Sequence, residues 1–216
     1  MSPSLSSSAM APTSSPPTTA LWGASLVAAP LLSAASTFFW TDGEYGLDGG
    51  LLGILASVFW GLGFVGVFGL LRERYPVYAA AGLLVAMYGV IAGALFAFED
   101  LHAAALGISH GRSTEALAQH PVHAALALWL PGPVYYLNLI VLAVALVRAG
   151  QIPRWTGGLI GLAGALYPMS RIPRVQLLAH AADLLLLIPM VYLGVRFLRR
   201  SQGRRGRTDE IGTARL

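Results

Sequence analysis

Six apolar runs follow one another in this chain, at about 21–40, 50–71, 77–98, 122–147, 155–170 and 176–198. They decide the fold class before any motif is read. An α-helix rises 1.5 Å per residue, so about 20 residues cross a hydrocarbon core of ~30 Å. Five of the runs reach that length. The fifth gives only roughly 24 Å of helix, so it must extend back through Ile152, thin the bilayer locally, or be a re-entrant segment; the distribution of arginine favours a crossing, over 153–170. Composition points the same way, because 11% charged residues is less than half the roughly 25% of soluble domains. So few charges cannot coat a water-soluble globule of this size. The expected fold is all-α: a polytopic transmembrane bundle with spans at about 21–40, 50–71, 77–98, 122–147, 153–170 and 176–198.

Arginine sets the expected orientation. With six spans and both termini inside, eleven of the fourteen basic residues fall on the cytoplasmic side and only Arg112, Arg171 and Arg174 fall outside. If the fifth run did not cross and the C-terminus stayed inside, the split would become eight against six. Enrichment of Arg in cytoplasmic loops favours six spans with cytoplasmic termini. Trp22, Tyr75 and Trp155 then sit at inner ends, and Trp40, Tyr45 and Tyr167 at outer ends, as interfacial aromatic belts require. Residues 1–20 are Ser, Pro, Thr and Ala without charge, a composition expected to stay disordered. A signal peptide would need a positive N-terminal region, which is missing, so the first helix is expected to be retained. Residues 199–216 read as a basic cytoplasmic tail that touches anionic headgroups. The expected location is the plasma membrane, in a bacterium the inner membrane.

Two absences narrow the chemistry. The sequence has no Cys, which removes disulfides, thiolate metal sites and covalent haem attachment. It also has no Lys, which removes a Schiff base to retinal or pyridoxal phosphate. No phosphate-binding glycine loop, nucleophile elbow or zincin motif occurs, and nucleic acid is not an expected partner. The bilayer is the expected one. Small residues recur every four positions at Gly49, Gly53, Ser57 and Gly61, at Gly89, Gly93 and Ala97, and at Gly157, Gly161 and Ala165. Such ladders let helix backbones approach closely in lipid. They suit seams within the bundle, and a homo-oligomer is the other use.

Polar residues inside the runs mark the candidate site. Pro131, Gly132 and Pro133 interrupt the fourth run, where proline removes backbone donors and should kink or break the helix. Tyr135, Tyr136 and Asn138 follow the break, and broken helices beside polar groups are how many transporters build midplane sites. Asp183 is the one acidic residue well inside a run, and His180 and Gln176 share its face of the sixth helix. A central carboxylate costs about 2.5–3.5 kcal/mol on insertion scales, so Asp183 should face protein, with His180, His123 or Asn138 as its partner. Asp183, His180, Asn138 and Tyr135 are therefore the candidate ligand or proton-relay residues.

Glu99 with His102, and His120 with His123, are pairs three residues apart at the outer ends of the third and fourth runs. That spacing places two side chains on one helix face, and together these residues form a speculative metal or haem site. Imidazole and carboxylate donors without thiolate would suit zinc, iron or copper. The function expected from the sequence is small-molecule transport, lipid binding or sensing through a polar pocket between the fourth and sixth helices, without catalysis. The alternative is a membrane enzyme or redox carrier with an outer-face metal or haem.

Overall fold

A computed structural model describes residues 16–41 and 43–213, without the side chains of residues 16, 110, 113, 114 and 204–213. Among these residues the chain is helical, and its one β-type pairing is an isolated bridge between Thr41 and Glu44. The helices are α1 (Pro16–Phe38), α2 (Gly46–Gly69), α3 (Pro76–Leu106), α4 (His110–Ala118), α5 (Pro121–Ala124), α6 (Pro131–Arg148), α7 (Arg154–Arg171) and α8 (Gln176–Thr213). A π-helical segment, Ala125–Trp129, joins α5 to α6. Five helical stretches are long and apolar enough to cross a membrane: Pro17–Phe38, Gly46–Gly69, Pro76–Leu106, Pro121–Arg148 and Gln176–Gly203. Such a chain is a multi-pass membrane protein by length and composition. The 18 residues of α7, which begin and end on arginine, fall outside that group.

Boundaries follow local chemistry. Helix α1 begins at Pro16, inside the stretch read as disordered, with two prolines in its first turn, where their missing N–H groups cost nothing. Residues 1–15 lie outside the described residues. Helix α8 runs on through most of the basic stretch to Thr213, and residues 214–216 lie outside the described ones. Helix α3 stops at Gly107, whose φ of 66° is the left-handed cap conformation that glycine takes without strain.

The six long helices close into a ring in the order α1, α2, α3, α6, α7, α8, with α8 packed back on α1. Neighbours run antiparallel. Gly66 of α2 meets Trp22 and Gly49 meets Ser36 at opposite ends of α1. Gly50 meets Ala97 and Leu101 of α3, and Gly82 meets Phe68 of α2. Gly157 abuts Val147, and Gly164 lies against Tyr136, so α7 runs the length of α6 in reverse. Helices α1 and α8 cross at Gly23 and Gly194, where a Cβ built on either residue would lie within 2.8 Å of the other's carbonyl oxygen. Only glycine permits that approach, and the contacts it gives replace the apolar burial that lipid cannot reward.

The ring order corrects one expectation. The fourth and sixth apolar runs, α6 and α8, are not neighbours, because α7 packs between them. A pocket shared by those two helices alone cannot form.

The fourth run is continuous but locally rewound. Leu130 N–H donates to the Ala125 carbonyl at 2.8 Å, a five-residue step. In that register the Leu126 carbonyl would take its donor from residue 131, which is proline and has none. The Tyr88 hydroxyl of α3 donates to this carbonyl instead. The prolines therefore place a π-bulge in the helix, and α3 supplies the missing hydrogen bond.

Candidate functional site: a cavity inside the ring

Half of the ring interior is solid. Trp60, Phe64 and Phe68 recur four residues apart on α2, and Phe64 meets the Tyr135 ring at 5.9 Å from across the ring. Leu142 and Leu146 of α6 and Met190 and Leu193 of α8 fill the rest of that half. The other half, toward the α1–α2 and α7–α8 turns, is hollow. A cavity of about 520 Å³ lies there, within the few hundred to thousand Å³ typical of small-molecule sites. All six long helices contribute to it. Trp60, Phe96, Tyr135, Tyr136 and Tyr167 form aromatic walls, while Ser33, Ser57, Arg171 and Arg174 bring polarity. Gly93, Trp129, Pro133 and Ile172 belong both to its wall and to the exposed flank of the ring.

The end of the cavity is built around Asp183. Its side chain is 1% exposed and pairs with Arg171 at 2.9 Å. Asp183 Oδ1 accepts from the Tyr167 hydroxyl at 2.7 Å, and Oδ2 from the Thr37 hydroxyl at 2.6 Å. Arg171 Nη2 donates to both carboxylate oxygens and to Thr37 Oγ1, while Nη1 donates to the Tyr45 hydroxyl at 2.9 Å. The guanidinium also lies 4.7 Å from the centre of the Trp40 ring, a cation–π contact. One carboxylate thus ties α8 to α1 and α7, and one arginine ties α7 to the α1–α2 turn. Burial pushes the Tyr45 hydroxyl above its usual value of 10.0, against the pull of Arg171, so it stays neutral and can accept from the guanidinium.

A second clasp crosses the same end. Arg174, in the left-handed conformation at φ 54°, reaches Asp100 of α3 at 3.5 Å and donates to the Gly43 carbonyl. Asp100 also accepts the Tyr45 backbone N–H at 3.1 Å. The α7–α8 turn is thereby fastened to the α1–α2 turn and to α3 on the far side of the ring.

Of the residues singled out by sequence, Tyr135 lines the cavity, whereas Asp183, His180 and Asn138 do not. Asp183 stands behind Arg171 as described. His180 lies against the Phe38 ring, centroids 4.7 Å apart, and is not a partner of Asp183. Asn138 joins α6 to α3, donating to the Gly82 carbonyl at 2.9 Å and accepting from the Tyr78 hydroxyl at 3.0 Å. His120 and His123 approach edge to face with ring centroids 6.1 Å apart, and His102 stacks on Phe98. Among the described residues, no three His, Asp or Glu side chains, Glu99 included, come together as a metal ion would need.

Comparison with protein-family models, with curated proteins and with solved structures finds no match to this chain. The site must be read from its own chemistry. The two carboxylates lie outside the cavity wall and the two arginines form part of it, so the cavity end presents hydrogen-bond donors backed by compensating negative charge. Sequence reasoning assigned Arg171 to a loop. The available signal was its four-residue spacing from Tyr167, which puts both side chains on one face of a helix.

Proposed function

We propose that this protein is a six-span protein of the plasma membrane, with both termini cytoplasmic, that binds a small lipophilic molecule inside its helix ring. The sixth span is α7. It is only 18 residues long, but it lies antiparallel between α6 and α8, contacting α8 from Trp155–Tyr192 at one end to Tyr167–Asp183 at the other. A helix so flanked crosses with its neighbours, and its terminal arginines sit at the two interfaces. The chain lacks cysteine, so single cysteines placed at the exposed Glu115 and at Leu216 offer a clean test in intact cells. An impermeant maleimide should label the first and not the second; labelling of the C-terminal site would reverse the assignment.

The observation that carries the binding reading is the cavity, enclosed by aromatic walls and continuous with the exposed flank at Gly93, Trp129, Pro133 and Ile172. In a bilayer the part of this flank at Gly93, Trp129 and Pro133 faces acyl chains, so a ligand dissolved in the membrane enters from the side. Transport, lipid binding and sensing would all use such a site. Trp60 reports on it from within, being 8% exposed and held by a 2.9 Å hydrogen bond from its indole nitrogen to Ser33. In a variant with Trp60 as the sole tryptophan, reconstituted in nanodiscs, a brominated long-chain alcohol should quench its emission. Gly93→Leu should weaken that quenching, since nothing lies within 4 Å of a Cβ at Gly93 and the longer side chain fits by narrowing the entrance. Emission insensitive to the brominated chain would refute the binding reading.

A further inference from the structure

The walls of the cavity specify more than a generic apolar guest. We propose that its occupant is a neutral, flat, carbonyl-bearing lipid of the quinone type, an inference that rests on the binding reading above.

Charge comes first. Arg171 is neutralised by Asp183 and Arg174 by Asp100, so the two pairs sum to zero. An anionic headgroup would have to compete with a carboxylate already paired to each arginine, or stay unpaired beside side chains only 13% and 17% exposed, where a charge is costly. The guest's polar end is therefore an uncharged acceptor.

Donors come second. The guanidinium carries five N–H groups. One on Nη1 goes to Tyr45, and those on Nη2 go to Asp183 and Thr37. This leaves the Nε hydrogen and the second Nη1 hydrogen of a residue that forms part of the cavity wall. Deeper on the wall stand Tyr135 and Tyr136. Their rings pack on Phe64, on Tyr167 and on each other, and neither hydroxyl has a protein hydrogen-bond partner among the described residues. The cavity thus holds donors at its arginine end and at its tyrosine wall, which suits a molecule with more than one carbonyl.

Shape comes third. Trp60, Phe96, Tyr136 and Tyr167 are flat, and Tyr136 and Tyr167 stack with centroids 5.3 Å apart. Aromatic faces gain from stacking a further ring beyond the area they bury, which an acyl chain cannot offer. The exposed flank at Gly93 and Trp129 gives a long apolar tail a way out into lipid.

The test compares a decyl-substituted benzoquinone with decanol and decanoate, which carry the same chain on a neutral non-planar head and on an anionic head. Binding is followed by saturable Trp60 quenching for the quinone and by displacement of the bound quinone for the other two, using the sole-tryptophan protein in nanodiscs. The quinone should bind at least tenfold more tightly than either competitor. The paired change Tyr135→Phe and Tyr136→Phe should weaken it by about tenfold, as the loss of one or two hydrogen bonds predicts, and Gly93→Leu should also weaken it. Decanoate binding as tightly as the quinone would overturn the proposal, as would a double variant with unchanged affinity. If instead decanol matches the quinone and both respond to Gly93→Leu, the cavity still binds lipophiles and only the quinone assignment fails.

Discussion

Asp183→Ala should cost about 3–5 kcal/mol, the penalty for removing one member of a buried ion pair and leaving the other charge uncompensated. Arg171 is 13% exposed, so water offers it little relief. Tyr167 loses its acceptor as well, and Thr37 is left with the Ser33 carbonyl at 3.2 Å. That is a large share of the roughly 5–15 kcal/mol by which folded proteins are ordinarily stable, so the unfolding midpoint should fall steeply, which thermal scans of the detergent-solubilised protein followed by size-exclusion chromatography would read directly. The partner experiment separates charge from packing. Replacing both members, Asp183→Leu with Arg171→Leu, should return most of the loss, because apolar substitutes for a whole buried pair are often neutral or stabilising. A single variant as stable as the parent would contradict the ion-pair account. So would a double variant less stable than either single one.

The second large effect sits where α1 crosses α8. Helix propensity alone predicts that Gly→Ala inside a helix stabilises by up to about 1 kcal/mol. At Gly161, where nothing lies within 4 Å of a built Cβ, Gly161→Ala should show that gain. At Gly194 the sign should reverse. Its Cβ would lie 2.7 Å from the Gly23 carbonyl oxygen, and two backbones cannot yield as side chains do, so overpacking should cost about 1–3 kcal/mol. Midpoints of thermal unfolding measured side by side provide the check, and a stabilised Gly194→Ala variant would show that the crossing is looser than described.

Much of the architecture was legible in the apolar runs, because a run of the right length in lipid has little choice but to be a helix. The run read at 50–71 is α2 at Gly46–Gly69, and that at 77–98 is the start of α3. What the runs could not give is which helix neighbours which. The ladder from Gly49 to Gly61 divides between partners, Gly49 meeting α1 and Gly53 meeting Ala97 of α3, while the glycine-on-glycine crossing of α1 and α8 uses Gly23 and Gly194, which belong to none of the ladders. The site suffered from the same gap. Along α8 alone, His180 and Gln176 look like the companions of Asp183, since spacing reveals only what lies on one helix face. Its actual partners arrive from α1 and α7, 146 and 12 residues away in sequence. The π-bulge was foreshadowed by Pro131, but its repair by Tyr88 depended on the α3–α6 pairing that no local pattern encodes.

The closure of α8 on α1 has a consequence for how the protein is made. Helix α1 gains its α8 neighbour only after the four long helices between them, so Thr37 waits for Asp183 while 146 residues are synthesised, on the order of ten to thirty seconds at ribosomal speed. Arg171 emerges before Asp183 and on the adjacent helix, so the carboxylate enters the membrane with its counter-charge already nearby. Until that moment the cavity has no wall on the α8 side. The hollow inside the ring is therefore closed in one late step, when α8 docks against α1.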